Sequence, residues 1–354
     1  MRIRIRVAAL LLGLPLASLW NSSAVWGQLE PSPDAPPVST APPMPAEDQS
    51  VATFKVNVNL VDVLFTVRNK DGELVPHLTK NDCSIDEDKV PQTIKNFTAE
   101  TNLPLTLGIL LDTSGSQQNV LPLEQQAGSE FLEHVLRPID QAFLVSFDVN
   151  VDLLQDYTNS AHLLRDAMDK AQINTAGGNG SGLPGLGGGP VPTVGDPKGT
   201  LLYDAIYQVA ADKFSQQVGR KAMIVLTDGE DEGSVHKIGQ AIAAAQRANA
   251  AIYVILIADV ASYWNSGMGY YGYSAAKRLS DETGGRLINV GNNGRKLEAA
   301  FQQISDELRS EYLATYTPSN TKLDGTYRHI EVNCGGGMKV ETRKGYYAPN
   351  AESE

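Results

Sequence analysis

The middle of the chain alternates between short apolar runs and longer amphipathic ones, the pattern of an α/β fold. Leu105 to Leu111 is apolar at nearly every position, as a strand covered on both faces must be. A helical period follows over 119–136 and is stopped by Pro138. Strands are predicted at 141–147 and 150–156, joined as a hairpin, and then a helix over 160–172. A helix over 201–214 precedes a strand at 221–227, and a helix over 234–249 precedes a strand at 251–257. A helix over 274–283, a short strand at 286–290 and a helix at 294–311 complete the series. This order predicts a doubly wound, mostly parallel sheet.

The flanks carry a different period. Phe54, Val56, Val58 and Leu60 share one face, and the register then shifts to Val61, Val63, Phe65 and Val67 before the turn Asn69-Lys70-Asp71-Gly72. Short strands follow at 83–86 and 92–97, and more appear at the far end over 312–316, 327–332 and 339–347. A segment of about 45 residues is too small to bury a sound core alone. The two flanks, 51–100 and 311–349, are therefore read as one small β-sandwich into which the α/β domain, 101–310, is inserted. Two independent β appendages are the competing arrangement.

Candidate chemistry sits where two strands end. Asp112-Thr113-Ser114-Gly115-Ser116 follows the first strand and sets one carboxylate and two hydroxyls at alternate positions. Thr227-Asp228-Gly229 follows the strand at 221–227, and Gly199-Thr200 opens the helix between them. Ligands of open α/β sheets bind outside the carboxyl ends of the strands. An all-oxygen set there suits a hard divalent cation: Mg2+, or Mn2+ or Ca2+. The candidate metal set is Asp112, Ser114, Ser116, Thr200 and Asp228. The competing reading makes the D-x-S-x-S stretch a simple helix N-cap.

This set, in this order, resembles the metal-ion-dependent adhesion site (MIDAS) of von Willebrand factor A domains, and all five positions are filled. Gly199-Thr200-Leu201-Leu202-Tyr203-Asp204-Ala205 and Leu226-Thr227-Asp228-Gly229-Glu230-Asp231 extend the resemblance towards a secreted bacterial subgroup with such a core. So do Asp71-Gly72, Leu78-Thr79, Pro91-Gln92 and Arg343-Lys344-Gly345-Tyr346, so that it spans roughly 53–348. The resemblance implies a von Willebrand A-like fold and a metal-dependent protein-binding module, in adhesion or envelope assembly, whose ion takes an acidic side chain of a partner protein. An ion that only holds three loops together is the alternative.

Charge and composition narrow the partners. The formal net charge is −12 and becomes three units more negative if Arg2, Arg4 and Arg6 are removed. Such a chain repels phosphate backbones, so nucleic acid is not an expected partner. Those arginines, the 13 apolar residues Val7 to Leu19 and the small-residue exit Val25-Trp26-Gly27 read as a signal peptide over 1–27. Thirteen residues are too few for a relaxed membrane span, and no cysteine follows for a lipid anchor. An uncleaved anchor is the rival; cleavage leaves a secreted or periplasmic protein without a membrane span. Seven prolines within 28–50 make a Pro-rich linker. Cys83 and Cys334 each share a face with apolar strand residues, where they could pair or lie buried as free thiols.

Ten glycines lie within 177–199, directly before Thr200. The Gly180-Ser181-Gly182-Leu183-Pro184-Gly185 match to G-x-G-x-x-G neither follows a strand nor opens a helix, so dinucleotide binding is rejected. A lid beside the metal and a tolerated surface insertion both remain open. Tyr263-Trp264 and Tyr270-Tyr271-Gly272-Tyr273 form an aromatic loop suited to an interface or to packing on the β flank. Glu230, Asp231 and Glu232 would raise cation affinity, hold a second ion, or serve a helix start. A metal-dependent hydrolase would need a proton-transfer group near the ion. The five histidines are scattered; His236, the nearest to Asp228 in sequence, is expected on a helix surface. The chain is therefore read as a binding protein without catalytic residues. A hydrolase and a structural envelope protein are the alternatives.

Overall fold

The computed structural model describes residues 60–99, 103–173, 199–258 and 270–350. The signal segment, the Pro-rich linker, the alternation at 54–58, the glycine-rich stretch up to 198 and Tyr263-Trp264 lie outside the described residues.

Fourteen strands are named among the described residues: β1 Val61–Arg68, β2 Cys83–Glu87, β3 Val90–Gln92, β4 Ile94–Ala99, β5 Leu105–Asp112, β6 Gln141–Phe147, β7 Val151–Thr158, β8 Arg220–Thr227, β9 Ala250–Leu256, β10 Leu287–Asn289, β11 Tyr312–Tyr316, β12 Tyr327–Cys334, β13 Lys339–Thr342 and β14 Gly345–Tyr347. The helices are α1 Leu121–Val135, α2 Ala161–Met168, α3 Leu202–Gln208, α4 Ile238–Arg247, α5 Gly272–Thr283 and α6 Gly294–Arg309.

The central sheet has six strands in the order β10-β9-β8-β5-β6-β7, parallel except for the antiparallel edge strand β7. All eight residues of β5 are buried. Leu105, Leu107, Ile109 and Leu111 pack with α1, α2 and α6 on one face, while Leu110 packs with α3, α4 and α5 on the other. The fold is thus α/β and doubly wound, with a mostly parallel sheet, as the alternation of apolar and amphipathic runs predicts. The chain moves outward from β5 to β6 and β7, then crosses back to β8 on the other side of β5. The β5–β8 boundary is a topological switch point, where such folds place ligands.

The flanks build two four-stranded sheets, β13-β1-β11-β4 and β14-β12-β2-β3. Val63, Phe65, Ile85, Tyr316, Ile330 and Tyr346, drawn from both sheets and both ends of the chain, share one core. The chain leaves this sandwich after Ala99 and re-enters at Tyr312, and these two residues are cross-strand partners. The α/β insert thus begins and ends at adjacent points. Cys83 and Cys334, facing each other across β2 and β12, form a disulfide; Cys334 is buried and Cys83 half-buried.

Several boundaries differ from the sequence reading. The run 339–347 is two strands in different sheets, with the crossing at Arg343-Lys344, as happens at a sandwich corner. Gly345 permits this because a Cβ there would lie 2.2 Å from the Arg328 carbonyl oxygen. The helix expected over 201–214 is α3 followed by a π-helical turn, Val209–Phe214. The helix expected over 160–172 ends at Met168, and that expected over 234–249 starts only at Ile238.

The sandwich lies at the N-terminal ends of the parallel strands. Leu64, Phe65 and Thr66 line a small cavity together with Leu105, Arg220 and Ala250, the first residues of β5, β8 and β9. Arg220 donates to the Leu308 carbonyl and pairs with Glu311, and Arg286 joins Glu307 to Glu341. Eight residues of strand, roughly 25 Å, separate this seam from the residues that follow β5. The carboxyl ends of the strands are therefore free of the sandwich.

Candidate metal centre

At the end of β5 the Asp112 side chain turns the backbone. Its Oδ1 accepts hydrogen bonds from Ser114 N at 3.0 Å and Ser114 Oγ at 2.5 Å. Ser114 Oγ lies 3.1 Å from Ser116 Oγ, so one carboxylate and two hydroxyls are linked in a row. The second oxygen of Asp112 accepts a 2.6 Å bond from Thr227 Oγ1, which joins the end of β5 to the end of β8. Thr227 Oγ1 also accepts from Gly229 N, and Asp228 Oδ1 from Glu230 N. Asp112 and Asp228 are buried, as is Ser114, while Ser116 is exposed at the rim.

Thr200 is brought in from both sides. Its N–H donates to the Glu232 carbonyl at 3.1 Å and its carbonyl accepts from Glu232 N at 3.0 Å, so it is bridged to the segment after β8. Leu201 N donates to the Asp148 carbonyl, and Asp148 Oδ2 accepts from Thr113 Oγ1 at 2.9 Å. The three loops that carry Asp112, Thr200 and Asp228 are thus stitched together at one end of the sheet.

Electrostatics favour a cation there. Burial pushes the Asp112 carboxyl up to about 7, and the neighbouring charge of Asp228 adds to it; hydrogen bonds from Ser114 and Thr227 oppose the rise. Two buried carboxylates that repel each other would bind a divalent ion in place of a proton. Among the described residues no group of three or more His, Cys, Asp or Glu side chains is placed to hold an ion. The candidate set meets hard-cation chemistry in another way, with two carboxylates and three neutral hydroxyl oxygens.

Two acids of the run after Asp228 are committed elsewhere. Glu230 Oε1 accepts from the N–H groups of Tyr271 and Gly272 at the start of α5, at 2.6 and 2.8 Å. Asp231 Oδ1 accepts from Tyr203 N and Ser234 Oγ. The aromatic loop meets the site here, since the Tyr270 hydroxyl donates to the Asp228 carbonyl at 2.8 Å.

His236 does not lie on a helix surface. It precedes α4, its Nδ1 lies 2.6 Å from Asp204 Oδ1, and its ring stacks on Tyr207 with centroids 3.7 Å apart. Burial pushes the Asp204 carboxyl up, but bonds from the His236 and Val235 N–H groups and the His236 ring outweigh it and hold the group below its usual range. The sequence reading also missed Glu124 of α1, a fully buried carboxyl. Its signal was present: Leu121, Glu124, Phe131, Leu132 and Val135 fall on one helical stripe, with an acid among apolar residues.

The sequence matches no family model and no curated protein. Among solved structures the chain is similar to the conserved hypothetical protein BatB from Bacteroides thetaiotaomicron, with 17% identity over 58% of this chain and 100% of that one and a TM-score of 0.42. It is similar to proximal thread matrix protein 1 from the mussel byssus with a zinc-occupied MIDAS motif, with 14% identity over 63% of this chain and 50% of that one and a TM-score of 0.45. A von Willebrand factor type A protein from Catenulispora acidiphila is 12% identical over 85% of this chain and 76% of that one, with a TM-score of 0.45.

Proposed function

We propose that this chain is an exported, divalent-metal-dependent protein-binding module. Asp112, Ser114, Ser116, Thr200 and Asp228 would hold the ion, with Mg2+ the first choice and Mn2+ or Ca2+ the alternatives. The bound ion supplies an electrophilic position that takes an acidic side chain of a partner protein. Two carboxylates roughly neutralise a divalent charge, and neutral hydroxyls complete the shell without lowering its attraction for a third carboxylate.

The observation that carries this reading is the hydrogen-bonded row Thr227–Asp112–Ser114–Ser116 at the switch point of the sheet, with Ser116 exposed and the sandwich at the opposite end. A buried carboxylate reaches the surface there through oxygen ligands alone. Export rests on the N-terminal pattern of arginines, apolar run and small-residue exit. The Cys83–Cys334 disulfide suits an oxidising compartment. Among the described residues no helix is long and apolar enough to cross a membrane.

Calorimetric titration with Mg2+ and Mn2+ tests the centre. Asp112→Ala and Asp228→Ala should abolish binding while the circular dichroism spectrum stays unchanged, because each removes a carboxylate and no core contact. Unchanged affinity in both variants would refute the site. Capture of an envelope protein that requires the ion, and is lost in Asp112→Ala, would support the binding role. Turnover of model phosphate esters would move the function to hydrolysis.

A further inference from the structure

Glu124 lies in the first turn of α1, twelve residues after Asp112. Its side chain is fully buried, and neither carboxyl oxygen makes a hydrogen bond to the protein. Gln117, in the short turn between Ser116 and α1, is also buried, and its Oε1 makes no hydrogen bond either. Three orphaned oxygens thus lie on the stretch that leads out of the Asp112 loop. An acid in the first turn of a helix is favoured by the helix dipole, but that benefit does not require burial. A buried carboxyl without a partner costs free energy, and such groups mark a place where something else is bound.

Successive backbone bonds tie Glu124 to the Asp112 loop: Gln117 N donates to the Ser114 carbonyl, Val120 N to the Gln117 carbonyl and Glu124 N to the Val120 carbonyl, each at 3.0 Å. Burial makes the Glu124 carboxyl a much weaker acid than usual, and the two charges that add to the effect are Asp112 and Asp228. Both belong to the candidate metal centre. Glu124 therefore belongs to the helix start that leads directly out of the Asp112 loop, and the centre's two carboxylates act on it. No group of three acidic or soft side chains is placed for direct coordination among the described residues, so Glu124 is not a direct ligand alongside the two aspartates.

We propose that Glu124 is an outer carboxylate of the metal centre, stabilising the bound divalent cation through its charge and by accepting hydrogen bonds from water bound to the ion. The assignment rests on the metal-binding reading given above. Glu124 is a positioning residue for the ion. Groups outside the direct ligand set commonly govern affinity by about 10–100-fold.

The test is Mn2+ titration of the full chain carrying Glu124→Gln, with melting temperature measured in chelator and in saturating Mn2+. The expected result is an affinity loss of about tenfold or more. The metal-free melting temperature should be unchanged or higher, because a buried carboxyl facing two others has been removed. The rise in melting temperature on adding Mn2+ should shrink. Should the glutamine variant fail to fold, Glu124→Leu, which fills the same buried position with apolar atoms, should show the same affinity loss. A folded variant that binds Mn2+ as the parent does would overturn the proposal. So would a variant whose metal-free stability falls while its Mn2+ response is intact. Failure of the parent chain to bind Mn2+ would instead overturn the metal centre itself, and the role of Glu124 with it.

Discussion

Asp112 connects protonation, metal and stability in one side chain. In the unfolded chain it releases its proton near pH 4, the ordinary carboxylate value. In the native, metal-free protein, burial and the charge of Asp228 hold the proton to about pH 7. Across that window the native state binds more protons than the unfolded one, so stability falls as pH rises. The contribution is complete below about pH 4 and is lost through about pH 7. In chelator, the melting temperature should therefore drop between pH 5 and pH 8, and Asp112→Asn should reduce the drop. A residual slope should survive, because Glu311 at the opposite end of the sheet is also pushed to about 7 by burial, only partly offset by Arg220. A saturating divalent ion should flatten the profile further by taking the place of the proton. Identical profiles for parent and Asp112→Asn would show that Asp112 does not carry this linkage.

At the scale of elements, the candidate centre depends on how closely α5 approaches the end of β8. Gly229 has a φ of +83°, and a Cβ on it would lie 2.5 Å from the Gly272 carbonyl oxygen. A Cβ on Gly272 would lie 2.1 Å from the Asp228 carbonyl oxygen. The two backbones thus touch where Glu230 caps α5. Gly272→Ala should push α5 away from the Asp228 loop, lowering stability by about 1–3 kcal/mol, the range for a strained local backbone. Metal affinity should fall with it, which denaturant unfolding and Mn2+ titration on the same sample would measure. Gly239→Ala is the control, since a Cβ there meets only the end of the Arg278 side chain at 3.9 Å. Neither glycine contact was legible in the sequence. The strands were: β5 is apolar throughout because both faces are covered, and β12 alternates because only one is. The start of α4 was not legible, because it depends on Asp204 accepting from the Val235 and His236 N–H groups, 31 and 32 residues away. Apolar periodicity records which side of an element is buried and carries no trace of such long-range bonds. For the site, the oxygen-bearing positions at two strand ends could be read directly, whereas Glu124 showed only as an acid on the apolar stripe of α1.

For the whole molecule, the two ends of the sheet divide the labour. One end is fixed to the sandwich through β1, Arg220, Glu311 and Arg286, and the other presents the candidate centre. The sandwich is assembled from strands that precede and follow the insert, so it closes the α/β domain as a loop. The disulfide makes that closure covalent: it links residues 251 apart in sequence, one in each flank. In the chain-entropy account a loop of that length restricts the unfolded state by about 5 kcal/mol, although measured gains are often smaller. The double variant Cys83→Ser, Cys334→Ser should therefore lose on the order of 2–5 kcal/mol in guanidinium unfolding under oxidising conditions. Reduction of the parent should reproduce the loss, and reduction of the double variant should change nothing. Metal affinity measured below the transition should stay at the parental value, because β5 separates the disulfide-bearing sandwich from Asp112 and its neighbours. A Mn2+ affinity that falls in step with stability would mean that the sandwich holds the metal loops in shape through the length of the sheet.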